Sequence, residues 1–249
     1  MPESLPLFLL AVAIGTYIQA VTGFALGIFL LAAVTLLHLG SIPATATALN
    51  IMNLALGAVV VVPQLRKADG RIVAQSLIGL VPAMVIGVLL LSYLNSNAQN
   101  LLKALLGAVI IAAGLVLVCR PDPLPRRSSP ATFVGTGFLG GFFGGLFSVS
   151  GPPIVYQLYR QPIPVQTIRI TLLTLFSLAS LGRLVVVGLH GDLTLDVVKI
   201  GLLSLPVVAA MAWVGNRFPP PVSERTLRRG IFALLMLSGG GTLLMALTA

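Results

Sequence analysis

The sequence predicts an all-α integral membrane protein made of two inverted repeats, each a Gly-broken helical hairpin followed by three transmembrane helices. Three observations lead there. Charge is scarce: 57% of the 249 residues are hydrophobic and only 8% are charged, and the mean hydropathy is +1.05. A soluble domain carries about 25% charged residues, so lipid must be this chain's main solvent. The apolar runs are continuous and long, unlike the alternating strands of about ten residues in a membrane barrel. Finally, two of the runs are interrupted by glycine clusters at corresponding places in the two halves.

Taken in order, the first run covers about 5–38, too long for one crossing, and breaks around Gly15–Gly27 (GTYIQAVTGFALG). Glu3 and no basic residue precede it, the pattern of a retained first segment rather than a cleaved signal peptide. Runs 42–62, 72–94 and 99–118 follow, each supplying the roughly 20 apolar residues needed to span about 30 Å. The link 119–130 (CRPDPLPRRSSP) divides a first repeat, 1–118, from a second, 131–249, within one membrane domain. The second repeat opens on another long run, 131–158, broken around Gly140–Pro153 (GGFFGGLFSVSGPP). Runs 164–188, 195–215 and 227–247 complete it. Ile42-Pro43 corresponds to Ile163-Pro164, Gly70-Arg71-Ile72 to Gly191-Asp192-Leu193, and Leu80-Val81-Pro82 to Ser204-Leu205-Pro206. The common order of these matches reads as an internal duplication.

Basic charge orients the halves. Arg66, Lys67, Arg71, Arg120, Arg126, Arg127, Arg160, Arg217, Arg225, Arg228 and Arg229 all lie in or beside short links. The basic link 66–71 has an Arg- and Lys-free counterpart at 187–192, whereas the uncharged link 94–100 has a strongly basic one at 216–229. Such a swap is expected when the repeats have opposite topology. If each broken run starts and ends on one side, as a re-entrant hairpin or two short spans, all eleven residues face the cytoplasm, as the positive-inside rule requires. Both termini then lie outside the cytoplasm. A plain eight-crossing arrangement leaves Arg160, Arg217, Arg225, Arg228 and Arg229 outside. The expected location is a bacterial plasma (inner) membrane, as a multi-pass protein.

Broken segments at matching positions of inverted repeats point to a transport site. Unwound backbone is tolerated at membrane depth only inside protein or beside a water-filled cavity, and a half-helix start suits an anion. The second break offers Ser148, Ser150, Gly151 and Pro152, with Gly144 and Gly145 before them. The first offers Gln19, Thr22, Gly23 and Gly27. The competing reading is that these glycines only let helices pack closely. Asn50 and Asn53 share a helix face and correspond to Thr171 and Thr174, so either a cavity or interhelical hydrogen bonds would use them. Arg169 and Arg183 fall inside run 164–188, where no carboxylate is available as a partner. Either they snorkel to the surfaces or they receive an anionic group such as a carboxylate, sulfonate or sulfite.

The stretch GGLFSVSGPPIVYQL (Gly144–Leu158) and the two related halves resemble the TauE/SafE sulfite exporter family, also called toluene-sulfonate uptake permeases. Where the family commonly reads G-L-x-G-[VI]-G-G-G, Gly145-Leu146 fit, while Ser148 and Ser150 replace glycines. Around Thr22–Gly27, Ala25 and Leu26 stand where glycines are usual. The resemblance implies movement of sulfite, an organosulfonate or another small organic anion.

Together these readings predict a secondary transporter or facilitator, working as an exporter, of a small anion such as sulfite, an organosulfonate or a small carboxylate. It would bind at midplane between the broken helices of the two repeats. The expected partners are that anion and the lipid bilayer, with self-association left open. No cofactor, catalytic residue or metal site is expected: Cys119 stands alone and the two histidines lack acidic neighbours. Nucleic-acid binding is disfavoured because no basic stripe with interleaved aromatics exists. A non-transporting assembly subunit is the alternative; an intramembrane enzyme using Ser150 and His190 is a remote one.

Overall fold

A computed structural model describes residues 4–97, 99–118, 124–191, 193–218 and 240. All of the expected run 227–247 except residue 240 lies outside them, as do Arg120, Arg225, Arg228 and Arg229. The described residues form nine α-helices and no strand: α1 (Leu5–Thr22), α2 (Leu26–Leu36), α3 (Ile42–Val60), α4 (Gly70–Asn97), α5 (Gln99–Val118), α6 (Pro130–Phe147), α7 (Gly151–Tyr159), α8 (Val165–Leu189) and α9 (Leu195–Arg217). A short 3-10 turn, Val62–Lys67, joins α3 to α4. Six of the helices are long and apolar enough to cross a membrane, so the chain is a multi-pass helical membrane protein.

Local chemistry sets the ends. Ser41 caps α3 by accepting the Ala44 N–H, and Thr194 caps α9 by accepting that of Val197. Asp69 accepts the N–H groups of Arg71 and Ile72, both at 3.1 Å, at the start of α4. Both long runs break as expected. α1 ends on Gly23 with φ +88°, and α6 ends on Ser148 with φ +56°, so each first helix stops in the left-handed conformation. Ala25 also lies in that region at φ +107°, where L residues are strained and glycine is at ease.

The helices are held by close backbone contact. A Cβ added to Gly79 would fall 2.0 Å from the Val134 carbonyl oxygen, and one on Gly87 2.4 Å from that of Phe142. From the other side, a Cβ added to Gly137, Gly141 or Gly145 would fall 2.2, 2.2 or 2.3 Å from the carbonyl oxygens of Ser76, Leu80 and Met84 respectively. These five glycines form a seam along which α4 and α6 run parallel. Lipid tails are as apolar as the helix surfaces and give them no hydrophobic reason to associate, so such small-residue seams supply the packing. α1 and α9 run parallel in the same manner: Gly215 packs on Ala20 and Tyr17, and the Tyr17 hydroxyl donates to the Phe218 carbonyl. α3 and α8 run antiparallel, with Gly57 against Ser177 and Thr47 against Arg183.

These pairings give the bundle two distinct ends. One carries Arg66, Lys67, Arg71, Arg126, Arg127, Arg160 and Arg217. The other carries the links at 37–41 and 189–194, whose described residues include no Arg or Lys. The hairpin α1–α2 opens towards the second end and α6–α7 towards the basic end.

The glycine seam gives a direct test. Gly141→Ala places a methyl group against the Leu80 backbone and should destabilise by about 1–3 kcal/mol, the usual cost of overpacking. Gly135→Ala, with nothing within 4 Å of its added Cβ, is the control. Thermal unfolding in detergent should drop several degrees for the first and not for the second.

Candidate functional site

The two breaks meet. An added Cβ on Gly27, in the first turn of α2, would lie 3.1 Å from the Val149 side chain and 3.3 Å from the Ser148 carbonyl oxygen. A cavity of about 20 Å3 remains between them, walled by Gln19, Gly27, Asn53, Ser148, Ser150 and Gly151 among others. An adjoining space of about 10 Å3 reaches Asn50, Ser180 and Arg183. Each holds a water or so; neither holds a tetrahedral anion while the breaks are this close.

Gln19 is the side chain that makes the first break tolerable. Its Oε1 accepts the Leu26 N–H at 2.9 Å, satisfying a donor at the start of α2, and its Nε2 donates to Asn53 Oδ1 at 2.9 Å. Ser148 does the equivalent work at the second break. Its hydroxyl donates to the Ala46 carbonyl of α3, with Asn50 Oδ1 3.1 Å away as the alternative acceptor. Asn50 Nδ2 in turn donates to the Ala46 and Thr47 carbonyls at 2.9 and 3.3 Å. The start of α7 is poor in donors because Pro152 and Pro153 have no N–H. The start of α2 keeps its N–H groups, so the first break, not the second, is the richer backbone donor.

Arg183 is the only cation among the described residues that is buried, at 1% exposure. Its Nε donates to the Gly145 carbonyl at 2.9 Å, in the last turn of α6, whose negative dipole end favours a cation. Nη1 is 3.4 Å from Thr47 Oγ1, and Nη2 is buried with no partner among the described residues. Arg183 also stands in the wall of a vestibule of about 320 Å3 between α3, α4, α8 and α9. This vestibule lies at the end away from the basic links. Arg183 therefore touches both the space between the breaks and the space outside them.

The other expected site residues lie elsewhere. Thr22 closes its own turn, its hydroxyl within 2.8 Å of the Ile18 carbonyl and 2.7 Å of the Phe24 carbonyl. Gly23 packs on Arg169, whose Cα an added Cβ would meet at 3.3 Å. Arg169 is at the basic end, where Nη2 donates to Asn216 Oδ1 at 3.1 Å while Nε is buried without a partner among the described residues. Thr171 accepts the Asp69 N–H at 2.9 Å, and Asp69 also pairs with Arg127. Thr174 donates to the Ile170 carbonyl of its own helix at 2.7 Å. Pro152 faces an apolar groove with Leu105, Val109 and Tyr156. His190 is exposed at the end of α8 whereas Ser150 is buried in the break, so the two form no nucleophile–base pair. Thr47, Ser180 and Phe176 belong to the cluster without having been singled out. Spacing could have found them: 47, 50 and 53 form one stripe, and 176, 180 and 183 another.

Broken helices that meet beside a buried cation, one of whose nitrogens has no partner among the described residues, fit the architecture of a secondary transporter. Comparison with known proteins agrees. Residues 7–242 match the family described as sulfite exporter TauE/SafE. A curated relative from Cupriavidus necator, named "Probable sulfite/organosulfonate exporter TauE", is 40% identical over 235 residues, covering 94% of this chain and 92% of the relative. No solved structure matches. The chain belongs to the TauE/SafE sulfite exporter family.

Gln19→Leu leaves the Leu26 N–H and Asn53 without their partner. It should lower stability by about 1–3 kcal/mol, the cost of an unsatisfied buried donor. Unfolding of the purified variant beside wild type measures this, and a variant as stable as wild type would remove Gln19 from this role.

Proposed function

We propose that the protein exports a small anion, sulfite or an organosulfonate, from the cytoplasm, with Arg183 as the residue that receives it. One observation carries the reading: Arg183, which lines both the break cavity and the vestibule, has a buried guanidinium nitrogen with no partner among the described residues. An unpaired charge at that depth costs several kcal/mol unless a counter-charge arrives, and a planar guanidinium suits an oxyanion in two-point contact. The names of the family and of the C. necator relative supply the substrate class.

The repeat reading adds a mechanism. Repeats 1–118 and 131–249, joined by the link 119–130, would be inverted copies. Helix pairing supports this: α6 of the second repeat lies parallel to α4 of the first, and α1 of the first parallel to α9 of the second. With the basic end in the cytoplasm, both termini fall outside, and this conformer is closed to the cytoplasm and open outward. The inner closure rests on Arg169 with Asn216 and on Asp69 with Thr171 and Arg127. Parting of the breaks would let the anion pass from Arg169 at the inner side to Arg183 at the outer. An inside-negative potential then drives a monovalent anion out with about 2.3 kcal/mol per 100 mV, and no membrane-buried carboxylate is needed for a proton relay.

The test is charge movement in proteoliposomes of the pure protein on addition of sulfite. Wild type should carry a current, Arg183→Ala should reduce it at least tenfold, and Arg183→Lys should retain part. Full current through folded Arg183→Ala would overturn the assignment of Arg183. Silence of wild type towards sulfite and sulfonates would overturn anion export itself.

A further inference from the structure

The vestibule is far larger than an inorganic oxyanion requires, about 320 Å3 against about 20 Å3 between the breaks. Its walls are divided. Arg183 marks its inner limit, beside Thr47. Val88 and Leu91 of α4, Val187 of α8 and Val197 of α9 form apolar sides, each at most 5% exposed. Ser41 and Thr194 stand near its rim, each already capping its own helix. Among the described residues of the wall no side chain is acidic. Asp196 lies just outside it, with a 74% exposed carboxylate 4.0 Å from Lys199.

We infer that this vestibule is a tail subsite: an organic anion sits with its charged head at Arg183 and an uncharged alkyl tail among Val88, Leu91, Val187 and Val197. This rests on the reading of Arg183 as the anion receptor and extends it to selectivity along the tail. The chemistry follows from the two kinds of wall. Each methylene seated between the four apolar side chains strengthens binding roughly fourfold, until the tail reaches the rim. A tail ending in an ammonium group gains nothing from these walls. It would lose hydration without meeting a carboxylate among the described wall residues, and Arg183 would repel it. The subsite therefore takes short alkanesulfonates and disfavours aminoalkanesulfonates of equal length.

The experiment is inhibition of the sulfite current by methane-, ethane-, propane- and butanesulfonate and by 2-aminoethanesulfonate. Half-inhibitory concentrations should fall about fourfold per added methylene, and propanesulfonate should inhibit at least tenfold more strongly than its near-isostere 2-aminoethanesulfonate. Val197→Phe, filling the space, should flatten the series, so that butanesulfonate loses its advantage over methanesulfonate. Leu91→Phe fills the same space from α4 and serves if the first variant does not fold. A sulfite current indifferent to tail length, or a series left steep by both substitutions, would overturn the subsite alone. Absence of any sulfite current overturns it together with the reading it rests on.

Discussion

The packing of this bundle is constrained by how one buried charge, that of Arg183, is held. The Arg183 guanidinium is buried at 1% exposure in a bundle whose described membrane-spanning helices hold no carboxylate partner at their centre. Burying a lone cation is among the most expensive arrangements a fold can contain. Two neutral contacts ease it, the Gly145 carbonyl in the last turn of α6 and the hydroxyl of Thr47, and they leave Nη2 open. A protein that needed Arg183 only for packing would be better served by an apolar residue of similar size.

The rest of the fold sets those contacts. Gly145 reaches Arg183 because α6 lies against α4 at backbone distance, and only glycines permit that distance. α6 can end at that depth because Ser148 takes a left-handed conformation and its hydroxyl donates a hydrogen bond to the Ala46 carbonyl of α3. On the other side Gln19 satisfies the Leu26 N–H at the buried start of α2 and donates to Asn53 of α3. The two breaks are thus each held to α3 by a polar side chain. They can part without leaving bare backbone in lipid, because the cavity they open would be lined by those same amides and hydroxyls.

Much of this was legible in the sequence. Clusters of glycine, serine and proline in long apolar runs placed both breaks within a few residues of Gly23 and Ser148, because such residues stop helices for reasons of local stereochemistry. The span 99–118 coincides with α5. Which side chains converge was harder to read. Thr171 and Thr174 correspond by repeat offset to Asn50 and Asn53, yet a threonine can satisfy itself on nearby backbone. Thr174 does so on Ile170, while Thr171 accepts the Asp69 N–H. The two arginines of α8 looked alike as charges in an apolar run. Depth alone could not tell that Arg169 reaches Asn216 at the basic end while α6 closes over Arg183. Pro152 follows the break directly but turns its ring away towards α5.

The central claim is that Arg183 carries a charge left open for an anion, and the most direct measurement is thermal stability with and without sulfite. Wild type purified in a low-salt buffer should gain stability as sulfite is added, since a ligand that binds only the folded form raises the unfolding temperature. Arg183→Met should lose that response and be no less stable than wild type without the anion. The account would be contradicted by a wild type unmoved by sulfite or an organosulfonate, or by an Arg183→Met variant that still responds.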